Sequence, residues 1–358
     1  MRSLVSEYYI DQTIILFDIQ KVNIKHERFI MKIGKIILLG IALLVFLLCP
    51  ACDESESKSD IIAGQDIKVV GVPVIYETDM TLDVDDVGAL AVLHGLQTEG
   101  KVTLLGVCYN EVHPLGPDAI DAINTYYHRG SIPIGIYRKK LADPDPSDYF
   151  TNECGFDVDN MAHDPFDNIV ADAVAVYKHL LKTQADNSVV IISVGFLNNL
   201  HDLLKDPEGF ELVENKVKLL AIMGGLHNDG FNLSRHDLVD QSQYVIENWP
   251  GTLVTTHVGG DMITGETLTS TTPSYNPVRR AFELEWHQGP NIGRSSWDEV
   301  TVLYAVFGTK YFVEEWEGDG SLRNGYTWTF SKGYRGYAAP KNDKEVEDEI
   351  ERLMTLAP

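Results

Sequence analysis

Four aspartates, Asp79, Asp83, Asp85 and Asp86, fall within eight residues, just after a β-rich run and at the start of a helical pattern. Carboxylates that close repel one another unless a cation or strong hydrogen bonding compensates. A hard divalent cation held by oxygen is the natural partner, and a carboxylate beside it can serve as a general base. Helix N-termini attract aspartate for capping and dipole reasons, but that accounts for one or two such residues, not four. An EF-hand is excluded by spacing: the twelfth position is His94 counted from Asp83 and Leu90 counted from Asp79, where a bidentate Glu is needed.

Short β-rich runs and helical patterns alternate around this loop. Strands are expected at 72–76, 102–108, 132–137, 188–194, 217–223 and 253–257, and helices at 86–96, 117–127, 169–181, 197–204 and 300–307. Strands separated by single helices read as βαβ units, so the expected fold class is α/β, a Rossmann-like open, mainly parallel sheet flanked by helices. In such a sheet ligands bind beyond the carboxyl ends of the strands. There lie the acidic loop, Asn110 after the second strand, Gly195 to Asn199 after the 188 strand, and Gly224-Gly225 with Asn232 further on; Trp297-Asp298 opens the late helix. A phosphatase of the haloacid dehalogenase type is the weaker reading of Glu77-Thr78-Asp79-Met80-Thr81, because its nucleophile must be the first carboxylate and must be Asp. With 29 Lys+Arg against 53 Asp+Glu the formal charge is -24, so nucleic acid is not an expected partner.

Glu77 to Asp86 resembles the acidic signature of the inosine-uridine-preferring nucleoside hydrolases in its longer form, with Glu77, Thr81 and Leu82 as departures. Further landmarks follow in order over 67–358. Residues 189–200 look like the family's strand and turn, Met223-Gly224-Gly225 like its Met-Gly-Gly, Gly230-Phe231-Asn232 like its Glu-Phe-Asn, and Trp297-Asp298 like its His-Asp or Trp-Asp. The resemblance implies calcium-dependent hydrolysis of the N-glycosidic bond of nucleosides or related ribosides, releasing base and ribose. It makes Asp79 a Ca2+ ligand and the general base, Asp86 and Asp298 ligands, and the backbone carbonyl of Val194 a further ligand. Asp85 is then expected on the ribose hydroxyls with a catalytic part, helped by Asn110 and Asn232, with Trp297 against the base. Asp83 has no counterpart in the shorter motif and is expected to support the loop, as is Glu77.

Two departures bear on activity. Trp297 stands where many members carry His, and an indole N–H donates a hydrogen bond but transfers no proton. Gly230 stands where the family has a Glu that contacts the ribose 5'-hydroxyl. Both motivate a competing reading, a metal- and sugar-binding module without turnover. His227, His236 and His257, near expected strand ends, are candidates for the missing acid. Tyr326, Trp328 and Phe330 alternate at period two, as for a hairpin with one aromatic face against the body or a pocket wall, and 344–356 reads as a closing amphipathic helix. Cys108 and Cys154 are expected to be unlinked.

The front of the chain reads as an address. Basic residues around Lys32 and Lys35 precede the apolar run 36–48, which is signal-peptide length and shorter than a bilayer span. Cys52, with an acidic, Ser-rich stretch after it, resembles the lipidated cysteine of a bacterial lipoprotein, with Cys49 the alternative. The expected organisation is an upstream segment and signal over 1–52, a tether over 53–66 and one domain over 67–358. The expected setting is an exported bacterial protein whose domain lies in the periplasm or outside, touching a membrane only through its anchor. The expected partner is a small nucleoside or riboside, with a homo-oligomer left open. The long loop 139–164, rich in Asp, Pro and Asn, is expected to be functional or mobile.

Overall fold

The computed structural model describes residues 69–145, 170–284 and 289–358. The export segment, Cys49, Cys52, the tether, Cys154 and most of the 139–164 loop lie outside the described residues. Among the described residues no helix is long and apolar enough to cross a membrane.

The strands in chain order are β1 (Val72–Thr78), β2 (Val102–Tyr109), β3 (Ile134–Ile136), β4 (Val170–Asp172), β5 (Val189–Ser193), β6 (Val217–Met223), β7 (Thr252–Thr256), β8 (Ile263–Thr264), β9 (Arg294–Ser295), β10 (Phe312–Glu315), β11 (Asp319–Ser321), β12 (Thr327–Thr329) and β13 (Arg335–Pro340). Nine form one sheet in the order β10-β13-β7-β6-β5-β1-β2-β3-β4. Every pairing in it is parallel except β10 with β13. The chain runs outward from β1 through β2 and β3 to β4, then returns to lay β5 on the other side of β1. The strand order therefore reverses between β1 and β5, where an open parallel sheet leaves a crevice at its carboxyl end.

Apolar residues cover both faces of the sheet, as parallel strands require. Val74 and Tyr76 of β1 and Val190 and Ile192 of β5 face one cluster, which also takes Leu90 and Leu93 of helix Asp85–Thr98, Val300 and Leu303 of helix Trp297–Phe307, and Ile350 and Leu353 of helix Asp343–Met354. Ile75, Val189 and Ile191 alternate to the other face, against Tyr177 of helix Ala173–Lys182, Leu200 of helix Asn198–Lys205 and Trp249. The closing helix buries one stripe and is capped by Asn342, whose side chain accepts from Glu345 N at 3.2 Å.

Boundaries move by a few residues, most at the helix after β4. The helix expected from residue 169 begins at Ala173, because 170–172 pairs with β3 as an edge strand and the Asp172 carboxylate accepts from Ala175 N at 3.2 Å to cap the helix there. The aromatic alternation does form a hairpin, β11 against β12, with Trp328 and Phe330 packed into the second cluster. It is a packing device; these side chains do not line the cavity described next.

Candidate active site

A cavity of about 390 Å³ opens at the carboxyl ends of the central strands. Asp79, Asp83, Asp85, Asp86, Val194, Asn232, Trp297 and Asp298 all line it, so the structure gathers these sequence-predicted residues from four separate stretches of chain. Helix Asp85–Thr98 brings Asp85 and Asp86 in its first turn, and helix Trp297–Phe307 brings Asp298 in its own. Both helices turn their positive ends toward the same carboxylates.

One oxygen from each of Asp85, Asp86 and Asp298 lies within 4.8 Å of the others. The three side chains are buried, and Asp298 Oδ1 has no hydrogen-bond partner. An all-oxygen set with an orphaned buried lone pair fits a hard cation. Asp79 lines the same cavity but stands outside this tightest trio. Burial pushes all four carboxyls above the usual range, Asp79 to about 7. Repulsion adds to it: Asp298 raises Asp85, Asp79 raises Asp86, and Asp86 raises Asp298. For Asp79 the Arg235 guanidinium works the other way.

Supporting residues fix this geometry. The Thr78 hydroxyl donates to Asp86 and accepts from Met80 N at 3.1 Å, and Tyr76 OH donates to the Asp86 carbonyl at 3.0 Å. Gly195 passes so close to Asp79 that an added Cβ would lie 2.6 Å from both Asp79 N and Oδ1, so the turn after β5 admits no side chain there. Asn232 Nδ2 donates to the Val194 carbonyl at 2.5 Å, joining two predicted site residues. Asn110, expected on substrate, is fully buried and off the cavity wall. Its amide donates to Phe196 O at 2.8 Å and Glu77 Oε1 at 3.3 Å, so its contact is with the scaffold behind Asp79. Glu77 is buried too, accepts from Tyr177 OH, and burial raises it to about 8. Both Glu77 oxygens are engaged by Asn110 and Tyr177 and the residue does not line the cavity, where the phosphatase reading would need its nucleophile.

Asp83 lines the cavity with its charge met by an arginine. Arg294 forks onto it, Nε to Oδ1 at 2.8 Å and Nη2 to Oδ2 at 2.5 Å. The same guanidinium lies 5.3 Å from the Trp297 ring. Of the candidate histidines, His257 lines the cavity, with its neighbour His227 6.1 Å away ring to ring. Burial holds His257 below the ordinary imidazole range. His236 belongs to a different cluster, with Glu111 and Asp145.

Sequence reasoning missed Arg235, Arg294 and Asp229, which all line the cavity. Asp229 accepts from Gly225 N at 2.5 Å and Phe231 N at 2.7 Å, fixing the segment that carries Asn232. The Gly224-Gly225 pair, at φ of 114° and 89°, was the only available signal for that turn.

Neither a protein-family model nor a curated protein sequence matches the chain. Solved structures do. A Bacillus anthracis inosine-uridine preferring nucleoside hydrolase is similar at a TM-score of 0.59 and 16% identity, over 79% of this chain and 99% of that one. An inosine-guanosine nucleoside hydrolase gives 0.60 and 14%, over 80% and 99%. The type III effector protein XopQ, complexed with adenosine diphosphate ribose, gives 0.59 and 12%, over 83% and 96%. At these identities the likeness is one of architecture: the chain has the fold of the nucleoside hydrolases.

Proposed function

We propose that this protein hydrolyses the N-glycosidic bond of a nucleoside or related riboside, with a calcium ion held by Asp79, Asp86, Asp298 and the Val194 carbonyl, and with Asp85 of the close trio against it. The observation that carries the reading is the convergence of four buried aspartates on one cavity at the strand-order reversal, with Asp298 Oδ1 unpartnered. The bound cation would supply positive charge that neutralises this cluster and favours an ionised attacking oxygen.

The chain's own groups supply the rest. Asp79, buried on the cavity wall beside the cluster, is placed to take the proton of the attacking water. Asp85 offers its carboxylate and Asn232 the oxygen of its amide to the ribose diol. Trp297, half-buried, and Phe231 both line the cavity wall and offer apolar faces to the base. With no acid at Trp297 and with burial favouring the neutral form of His257, the departing base takes its proton from water.

A second reading, binding without turnover, is favoured by Trp297 and Gly230 and by the adenosine diphosphate ribose complex of XopQ, a protein of the same fold. Reducing-sugar release from a panel of purine and pyrimidine nucleosides separates the two. Release abolished by chelator and restored by calcium supports hydrolysis. Tight nucleoside or adenosine diphosphate ribose binding with no release from any member supports the binding module.

A further inference from the structure

Glu111, Asp145 and His236 form a second group of ligand atoms within 4.8 Å of one another, on a separate set of side chains from the aspartate cluster. Glu111 follows β2, Asp145 ends the described part of the loop after β3, and His236 lies four residues beyond Asn232. The Glu111 and His236 side chains are 0% and 4% exposed.

The hydrogen bonds around the group dictate what each atom can do. His236 Nδ1 faces the Ala142 carbonyl at 3.0 Å. That oxygen only accepts, so Nδ1 carries the hydrogen and the lone pair of the neutral ring is on Nε2. Nε2 is buried without a hydrogen-bond partner, and so is Glu111 Oε2. Glu111 Oε1 is already taken by Val112 N at 2.6 Å, which aims Oε2 inward. Arg235 donates to Asp145 Oδ2 and fixes that carboxylate in turn. The Nε2 atom then stands 3.6 Å from Glu111 Oε2 and 3.4 Å from Asp145 Oδ2.

These separations are too long for an N–H···O bond. The 3.4 Å separation falls within, and the 3.6 Å separation just beyond, the edge of a tetrahedron of nitrogen and oxygen around a zinc-sized ion, about 3.3–3.5 Å for bonds of roughly 2.0–2.1 Å. An imidazole whose other nitrogen is bound to a backbone carbonyl is also the usual state of a metal-ligating histidine. A mixed nitrogen and oxygen set suits a first-row transition ion, whereas the all-oxygen aspartate cluster suits calcium.

We infer that Glu111, Asp145 and His236 form a second metal site, one for a zinc-class divalent ion. It joins the loop after β3 to the segment carrying Asn232 and Arg235. Its role is to hold one wall of the cavity, and it stands whether or not the aspartate cluster supports hydrolysis.

The test is zinc binding by the full chain, stripped with chelator and then held in excess calcium to occupy the aspartate cluster. Zinc alone is the probe, read by metal analysis and by competition with a chromophoric chelator. One zinc per chain is expected. Affinity should fall at least about tenfold in His236→Ala and Glu111→Gln and stay unchanged in Asp298→Asn. Circular dichroism identifies which variants are folded, and either folded variant suffices. Wild-type protein that takes up no zinc, or a folded His236→Ala or Glu111→Gln protein that binds it as tightly as wild type, overturns the assignment.

Discussion

Asp83 and Asp86 stand three residues apart in one acidic loop and have opposite surroundings. Asp83 is neutralised by the Arg294 fork, while Asp86 sits among carboxylates with only Thr78, Asp79 N and the helix end to favour its charge. Removing Arg294 takes away the positive charge that offsets Asp83 beside the cluster. Arg294→Ala should therefore destabilise the metal-free protein by about 1–3 kcal/mol in urea denaturation, with a smaller loss once calcium is added. An equal loss in both conditions would separate Asp83 from the cluster's electrostatics. Asp79→Ala removes the proposed base, and turnover should fall by about 10²–10⁴ with calcium binding weakened less than in Asp298→Asn. Full activity in Asp79→Ala would remove that residue from the chemistry. The carboxylates were legible from spacing because so many in one loop call for compensation, although Asp83 finds it in an arginine and not in the cluster. Arg294 was not, since 211 residues separate it from Asp83 and an arginine in a loop carries no local sign of what it will meet.

At the scale of elements, the site depends on two helices delivering their first turns to one point. Helix Asp85–Thr98 is anchored at its far end by His94, which is fully buried and stacked on Tyr127 with ring centroids 4.5 Å apart. Its Nε2 donates to Asn124 Oδ1 at 2.8 Å, tying it to helix Gly116–Tyr126, and its Nδ1 accepts from Arg129 at 3.1 Å. Both nitrogens are committed in the neutral form. Burial first and the Arg129 charge second lower the imidazole from 6.5 to about 3. An unfolded chain takes up this proton below pH 6.5 while the folded one does not, so stability falls as pH drops from about 6.5 toward 3, by about 1.4 kcal/mol per pH unit. In His94→Gln this share of the slope should vanish, and an unchanged acid limb in pH-dependent denaturation would contradict the assignment. Helix and strand types were readable wherever apolar periodicity ran long. The edge strand β4 was not, because three residues pairing at a sheet margin have no period of their own and Asp172 gives the only boundary signal.

Across the whole molecule, the sheet order explains why distant stretches meet. Reversal between β1 and β5 opens the crevice, and Asp79, Val194, Asn232 and Asp298 reach it from the ends of β1, β5 and β6 and from helix Trp297–Phe307. The alternation of strands and helices made a parallel sheet legible, while the order of its strands follows from packing that no local stretch encodes. A fold that holds four carboxylates together against their repulsion should gain stability from the ion that compensates them. Calcium at about 100 times its dissociation constant should add about 2.7 kcal/mol, seen as a rise in Tm that chelator reverses. A Tm indifferent to both would deny the cluster an ion. The central claim, hydrolysis of a riboside by water at this site, is tested most directly by mass spectrometry of products formed in heavy-oxygen-labelled water from a nucleoside panel with calcium present. The expected products are free ribose carrying one labelled oxygen and a base carrying none, both reduced by about 10²–10⁴ in Asp79→Ala. Intact nucleosides across the panel, or ribose formed equally by Asp79→Ala, would contradict it.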